Sequence, residues 1–147
     1  MELDQLLPAQ QVQVVEDIIK QFPQVEIETN HYFAGGVYER EVIVKAGTII
    51  TGKVHLTEHL AKLVKGTMTI YGNDDFGTFT APHTFISKPG AKRAGYAHDD
   101  CYFSTFHTVG DNSDIEEIES ALVVDTVEQY QHYLEVTKCP SLHQEQL

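Results

Sequence analysis

The stretch that decides the fold is residues 46–66, AGTIITGKVHLTEHLAKLVKG, in which apolar and β-branched residues run between glycines. Residues 48–56 and 59–65 have the length and composition of two short strands. The polar residues Thr57 and Glu58 stand between them, where the chain is expected to turn. The pattern therefore predicts a β-hairpin.

This hairpin would bring two histidines together. Side chains alternate between the two faces of a strand, so Thr51, Lys53 and His55 share one face. His59 begins the next strand, directly after the turn. Two neighbouring imidazoles can hold one ion or one ligand, although two histidines do not complete a metal site.

Similar segments fill the chain outward from the hairpin, from residue 25 to residue 109. Glycine- and proline-containing turns, such as Gly35-Gly36 and Lys88-Pro89-Gly90, separate them. The predicted strands are residues 38–45, 48–56, 59–65, 67–71, 77–80, 84–87 and 102–108. Seven or more strands at this spacing are typical of an all-β sandwich or barrel.

Helices are predicted on both sides of this region. Hydrophobic residues recur at helical spacing from Met1 to about Phe22, and again within residues 115–122 and 126–136. A chain of 147 residues has the length of one domain. We expect a single domain with an N-terminal helix at 1–24, a barrel at 25–109 and an acidic helical tail at 110–147.

The net charge narrows the choice of partners. The chain has 22 acidic and 10 basic residues, a net charge of −12, which excludes general binding to nucleic-acid backbones and disfavours docking on anionic membranes. The window from Lys45 to His107 carries +2 and the remainder −14. The densest acidic run, residues 111–119, is expected to be a solvated face.

The expected location is the cytoplasm. No apolar run approaches the ~20 residues that span a bilayer, and the first residues lack a basic and then apolar leader. Two cysteines, Cys101 and Cys139, are expected to be free thiols.

The central stretch also resembles a known motif. Gly47-x5-Lys53-x-His55-x3-His59-x6-Gly66 has the spacing of the first cupin motif, G-x5-H-x-H-x3-E-x6-G. Lys53 stands at the place of the first metal-binding histidine, and His59 at that of the glutamate. Residues 89–93 echo the second motif, P-x-G-x2-H, one residue shorter and with Arg93 nearest the place of its histidine.

Residues 36–41, 46–55 and 92–100 are similar to small single-domain cupin proteins of tailed bacteriophages. The resemblance implies an all-β cupin fold, a double-stranded β-helix or jelly-roll barrel with its site at the mouth, and often a homodimer. It implies no single reaction, because cupins have many functions.

Three functions fit these residues, and the first uses a metal. His107 follows Thr105 in alternation on the last strand, so it can join His55 and His59. Three neutral imidazoles with an open position suit a divalent transition metal such as Zn, Fe, Ni, Mn or Cu, which could activate water or dioxygen for a bound small molecule.

The second function needs no cofactor. Lys53 and Arg93, which replace metal-binding histidines in the motif, would make a pocket for an anion such as a carboxylate, a phosphate or a nucleotide-sugar. Some cupins of the epimerase and isomerase type use such sets for acid–base chemistry. Here the base would be His55 or His59 and the acid Tyr96 or Tyr71.

Arg40 alternates with Val42 and Val44, so it is also expected to point inward, where it would need an acidic partner such as Glu58. The third function is not catalytic: the protein would sequester a small molecule, or engage a host partner through its acidic flanks. The sequence leaves open whether the protein is an enzyme.

Overall fold

Short antiparallel strands form two facing sheets in the computed structural model, which describes residues 7–72 and 75–138. The strands are β1 (Glu28–Ala34), β2 (Val37–Val44), β3 (Ile49–Thr51), β4 (Val54–His55), β5 (His59–Lys65), β6 (Thr67–Gly72), β7 (Asp75–Thr80), β8 (His83–Ser87), β9 (Ala94–Ala97), β10 (Cys101–Thr108) and β11 (Val123–Val124), and the helices are α1 (Pro8–Ile19), α2 (Ile115–Leu122) and α3 (Val127–Lys138). The predicted all-β fold with terminal helices is confirmed.

The two sheets enclose one apolar core. The larger sheet has the strand order β1-β2-β10-β5-β8, and the smaller has the order β3-β9-β6-β7. Alternate residues of these strands face inward, as the period of two requires. The core consists of Val42, Val44, Ala61, Leu63, Met68, Ile70, Phe85, Ala97 and Cys101. Cys101 is a free thiol, as expected, whereas Cys139 lies outside the described residues.

The hairpin predicted for residues 48–56 and 59–65 does not form, because β5 pairs with β8 and β10 and with neither β3 nor β4. The strand predicted at 48–56 is also broken. Gly52 and Lys53 lie between β3 and β4, because the two halves pair with different partners: β3 with β9, and β4 with β11. Three strands were not predicted, namely β1, β9 and β11. The first of these forms a hairpin with β2 across Gly35-Gly36, both of which have positive φ, as a two-residue turn requires.

Helix α1 begins at Pro8. Proline is favoured in the first turn of a helix, because a backbone N–H at that position would have no acceptor within the helix. The predicted start at Met1 lies outside the described residues. Val12 is fully buried, and the Gln11 side chain accepts a hydrogen bond from the Tyr71 hydroxyl of β6. The helix therefore packs on the smaller sheet.

The C-terminal segment, residues 115–138, folds back over one end of the barrel. Asp114 caps α2 by accepting a hydrogen bond from the Glu117 amide. Strand β11 then pairs with β4 in the register Val123↔His55, and the Leu56 amide donates to the Leu122 carbonyl at 2.8 Å. The segment thus packs on the barrel, while most acidic residues of the run 111–119 are exposed, as expected.

A buried cation joins the terminal elements to the barrel. Lys92 is 0% exposed, and its ammonium lies 2.5 Å from the Glu16 carboxylate of α1. It also donates to the backbone carbonyls of Gly52, at 2.8 Å, and of Asp125, at 3.0 Å. One side chain thus links α1, the loop after β3 and the C-terminal segment. Within the described ranges, no helix has the length and apolar character needed to cross a membrane.

Candidate metal centre

Three histidines meet at the end of the barrel that the C-terminal segment covers. His55, His59 and His107 each offer one ring nitrogen, and these nitrogens all lie within 4.8 Å of one another. The ring centroids of His55 and His59 are 4.2 Å apart, and those of His59 and His107 are 4.6 Å apart. The predicted approach of these three residues is thus present in the structure.

The sheet register explains this meeting. Phe106 of β10 is paired with Leu60 of β5, so the next positions of this antiparallel ladder are His107 and His59. The turn after β4 returns the chain to β5 and places His55 beside them. Two adjacent strands and one tight turn therefore build the cluster.

All three rings are held neutral. Burial, followed by the charges of His59, His107 and Arg93, lowers the pKa of His55 to about 3. Burial, followed by His59 and Arg40, lowers the pKa of His107 to about 4, and burial also lowers the pKa of His59. Neutral imidazoles are the form that binds metals, so the cluster is ready to do so at neutral pH.

Two of the ring nitrogens lack a hydrogen-bond partner. The Nδ1 of His59 lies 3.0 Å from the Thr57 carbonyl, which only accepts, so Nδ1 carries the proton and Nε2 keeps its lone pair. On His107, Nε2 lies 3.0 Å from the Thr105 hydroxyl. Among the described residues, neither the His59 Nε2 nor the His107 Nδ1 has a partner, although both are buried.

A cavity of about 320 Å³ adjoins the histidines. Its polar lining includes His55, His107, Thr105 and three basic side chains. Its apolar lining includes Ile27, Val42, Val44, Ile50, Met68, Ile70 and Phe103. The C-terminal segment closes one side with Glu119, Leu122 and Val123. The volume is at the lower end of the range of about 300–1,000 Å³ that is typical of small-molecule sites.

Neither a protein-family model nor a curated protein sequence matches this chain significantly. Solved structures do match it. Salicylate 1,2-dioxygenase from Pseudoaminobacter salicylatoxidans is 12% identical, with a TM-score of 0.51 over 74% of this chain and 31% of that enzyme. A cupin superfamily protein from Desulfitobacterium hafniense is 8% identical, with a TM-score of 0.48 over 60% of this chain and 82% of its own. Acetylacetone dioxygenase from Acinetobacter johnsonii is 17% identical, with a TM-score of 0.47, over 59% and 65%.

The chain has the cupin fold. At these sequence identities the likeness extends to the fold alone, so the chemistry has to be inferred from the residues of the site.

The structure gives the basic residues of the predicted site different surroundings. The Arg93 guanidinium contacts the Ser87 hydroxyl and lies over the Phe85 ring, 5.3 Å from its centroid, and its charge acts on His55 and His59. Lys53 lines the cavity, but its ammonium also lies 3.5 Å from the carboxylates of both Glu119 and Asp125.

Arg40 points into the cavity, as its alternation predicts. The acidic partner expected for it is corrected: the Glu58 carboxylate forms a 2.6 Å ion pair with Lys88 on the surface. This pair results from the turn after β4, which carries Glu58 away from the barrel interior.

The structure does not bring the two predicted tyrosines to the three histidines. Tyr96 is 41% exposed and packs edge-on against the ring of His98 on the outer face of β9. Tyr71 donates its hydroxyl to the Gln11 side chain of α1.

A different tyrosine stands beside the cluster. Tyr38 of β2 is buried and paired with His107, its hydroxyl lies 2.6 Å from the His31 Nδ1, and burial raises its pKa. Tyr38 was not among the predicted site residues, although it occupies the same alternating face as Arg40 and Val42.

Proposed function

We propose that this cupin binds a divalent first-row transition metal through His55, His59 and His107, and that the metal faces a small molecule in the adjoining cavity. The observation that carries the proposal is the pair of buried, unpartnered nitrogens, His59 Nε2 and His107 Nδ1. An unsatisfied buried polar atom costs about 1–3 kcal/mol, and a metal ligated by both nitrogens would remove that cost.

The donor set also fits such a metal. Three neutral nitrogens suit Zn, Fe, Ni or Cu, and they leave coordination positions open. When bound, the metal would supply Lewis acidity to water or to a substrate atom. The hydrogen bond from His59 Nδ1 to the Thr57 carbonyl fixes the tautomer in which Nε2 is the ligand, which is the role that such partners have in metal sites.

Metal analysis of the untagged protein tests the proposal. The wild type should contain about one metal ion per chain after growth in metal-supplemented medium, and His55→Ala, His59→Ala and His107→Ala should each lose most of it. The control is His98→Ala, because His98 is exposed on the outer face of the smaller sheet.

A wild type without stoichiometric metal contradicts the proposal. So does a metal content that is the same in the three variants as in the wild type and the control. Circular dichroism spectra of the metal-free proteins identify any variant that has lost its fold.

The metal-free acid–base function stays a second candidate, supported by the charges of Arg93 beside His55 and His59 and of Arg40 beside His107. Its predicted signature is binding of an anionic small molecule by protein that contains no metal. The relation to bacteriophage cupins, the homodimer and the cytoplasmic location likewise stay predictions.

A further inference from the structure

The cavity beside the histidines contains a cation, Arg40, to which the described part of the chain gives no partner. Arg40 lies in the middle of β2, opposite Thr105 of β10, and is half-buried. Across residues 7–72 and 75–138, no carboxylate lies within 4 Å of its guanidinium, and no side chain or carbonyl accepts a hydrogen bond from it. A guanidinium that is partly removed from water without an acceptor is costly, so this position favours an anion.

The acidic side chain that lines the cavity already forms an ion pair. Glu119 lines the same space, but its carboxylate pairs with the Lys53 ammonium at 3.5 Å. Lys53 is paired a second time, with Asp125. These charges largely cancel on the side of the C-terminal segment. The third basic side chain of the cavity, Arg93, contacts the Ser87 hydroxyl and the Phe85 ring, so among the described residues the positive charge that has no such contact is that of Arg40.

The rest of the wall restricts the kind of anion. Val42, Ile50, Met68, Ile70 and Phe103 offer no hydrogen bonds from their side chains, so a sugar or another polyhydroxylated body would lose its water without compensation. An apolar body gains by burial there, because its surface leaves water. The planar fork of a guanidinium matches a carboxylate with two parallel hydrogen bonds.

We infer that the cavity binds a small organic acid with a largely apolar body, and that the carboxylate of this acid pairs with Arg40. The inference rests on the proposed function only for the location of the site. It deepens that function by naming the ligand class, and it holds with or without a metal on the histidines.

Calorimetric titration with matched probes tests the inference. Benzoate and hexanoate are the acids, benzamide and hexanamide are their neutral counterparts, and inorganic phosphate is the anion without an apolar body. Wild-type protein should bind at least one of the acids about tenfold more tightly than the corresponding amide, and more tightly than phosphate. Because this comparison uses only the wild type, it does not depend on the folding of a variant.

Variants then identify the residue responsible. Arg40→Gln should weaken binding of the acid about tenfold and remove its advantage over the amide, and Arg40→Lys should restore only part of it because an ammonium lacks the fork. Lys65→Gln removes the same charge from an exposed position and should leave binding unchanged.

Three results would overturn the inference: equal binding of acid and amide by the wild type, unchanged acid binding by a folded Arg40→Gln protein, or binding of none of the acids. Each titration is run on EDTA-treated and on metal-loaded protein. Acid binding through Arg40 in protein that never takes up metal would refute the proposed function alone, and metal uptake without acid binding would refute the ligand class alone.

Discussion

Replacing Lys92 with Met should strongly destabilise the protein. The Lys92 ammonium is fully buried and holds three acceptors: the Glu16 carboxylate at 2.5 Å and the carbonyls of Gly52 and Asp125 at 2.8 and 3.0 Å. Methionine has a similar length but no donor. The substitution therefore takes the donor from two carbonyls and the buried cation from the Glu16 carboxylate, which keeps the Gln13 amide at 3.2 Å and the Lys20 ammonium at 3.8 Å.

The structure sets the size of the effect. Removing one member of a buried ion pair costs about 3–5 kcal/mol, because the other charge stays buried. The Glu16 side chain is 13% exposed, so water relieves part of that cost. We expect a loss of about 3 kcal/mol, which a domain with a stability of about 5–15 kcal/mol survives.

Urea unfolding followed by far-UV circular dichroism measures this loss, since the chain has no tryptophan for fluorescence. The matched control is Lys53→Met, which removes two ion pairs with the same C-terminal segment. Lys53 is 49% exposed and its partners are 3.5 Å away, so the expected loss is below about 1 kcal/mol. A Lys92→Met protein as stable as the Lys53→Met control would refute this reasoning.

Two further predictions concern the histidines and the tight turns. In metal-free protein, folding lowers the pKa of His55 to about 3 and of His107 to about 4, so between about pH 7 and pH 5 only the unfolded chain gains protons on these rings. Stability should fall by about 2–4 kcal/mol over that interval, and urea unfolding that is independent of pH would contradict this. Gly72→Ala should prevent folding, because φ at this position is +143° and the new Cβ would lie 2.3 Å from the Lys92 carbonyl oxygen. Gly47→Ala should cost only about 1–2 kcal/mol, because φ is +84° but the space around the new Cβ is open. Equal melting temperatures of the two variants would contradict this prediction.

The histidine cluster was predictable because it depends on local periods. Strand alternation and a short turn bring His55 to His59, and alternation along the last strand turns His107 to the same side. The same rule applies to Tyr38, which shares a face with Arg40. Tyr38 lies outside the two stretches that match the cupin motifs, residues 47–66 and 89–93, so no motif pointed to it.

The orientation of Tyr96 could not be read from the sequence. Strand β9 has four residues, AGYA, in which small side chains give no contrast between faces. Gly95 packs so closely on the core that a Cβ there would lie 2.8 Å from the Met68 sulfur. Because neighbouring residues of a strand face opposite ways, Tyr96 then points outward. Such a constraint exists only once β6 and β9 are paired.

The position of the C-terminal segment could not be predicted from the sequence for a similar reason. Strand β11 has two residues, which carry no period, and its pairing with β4 joins positions about 70 residues apart in the chain. The acidic composition of this segment indicated a solvated face. That face is exposed, and the buried side chain of Ile118 and the contact of Lys92 with Asp125 show that the opposite side packs inward.

The most direct test of the central claim is an anomalous diffraction measurement on a crystal of metal-loaded protein, with data collected on both sides of the absorption edge of the metal. We predict one strong difference peak per chain, bonded to nitrogens of His55, His59 and His107 at distances near 2.0–2.2 Å. No peak among these three rings, or a peak ligated by other residues, would contradict the account.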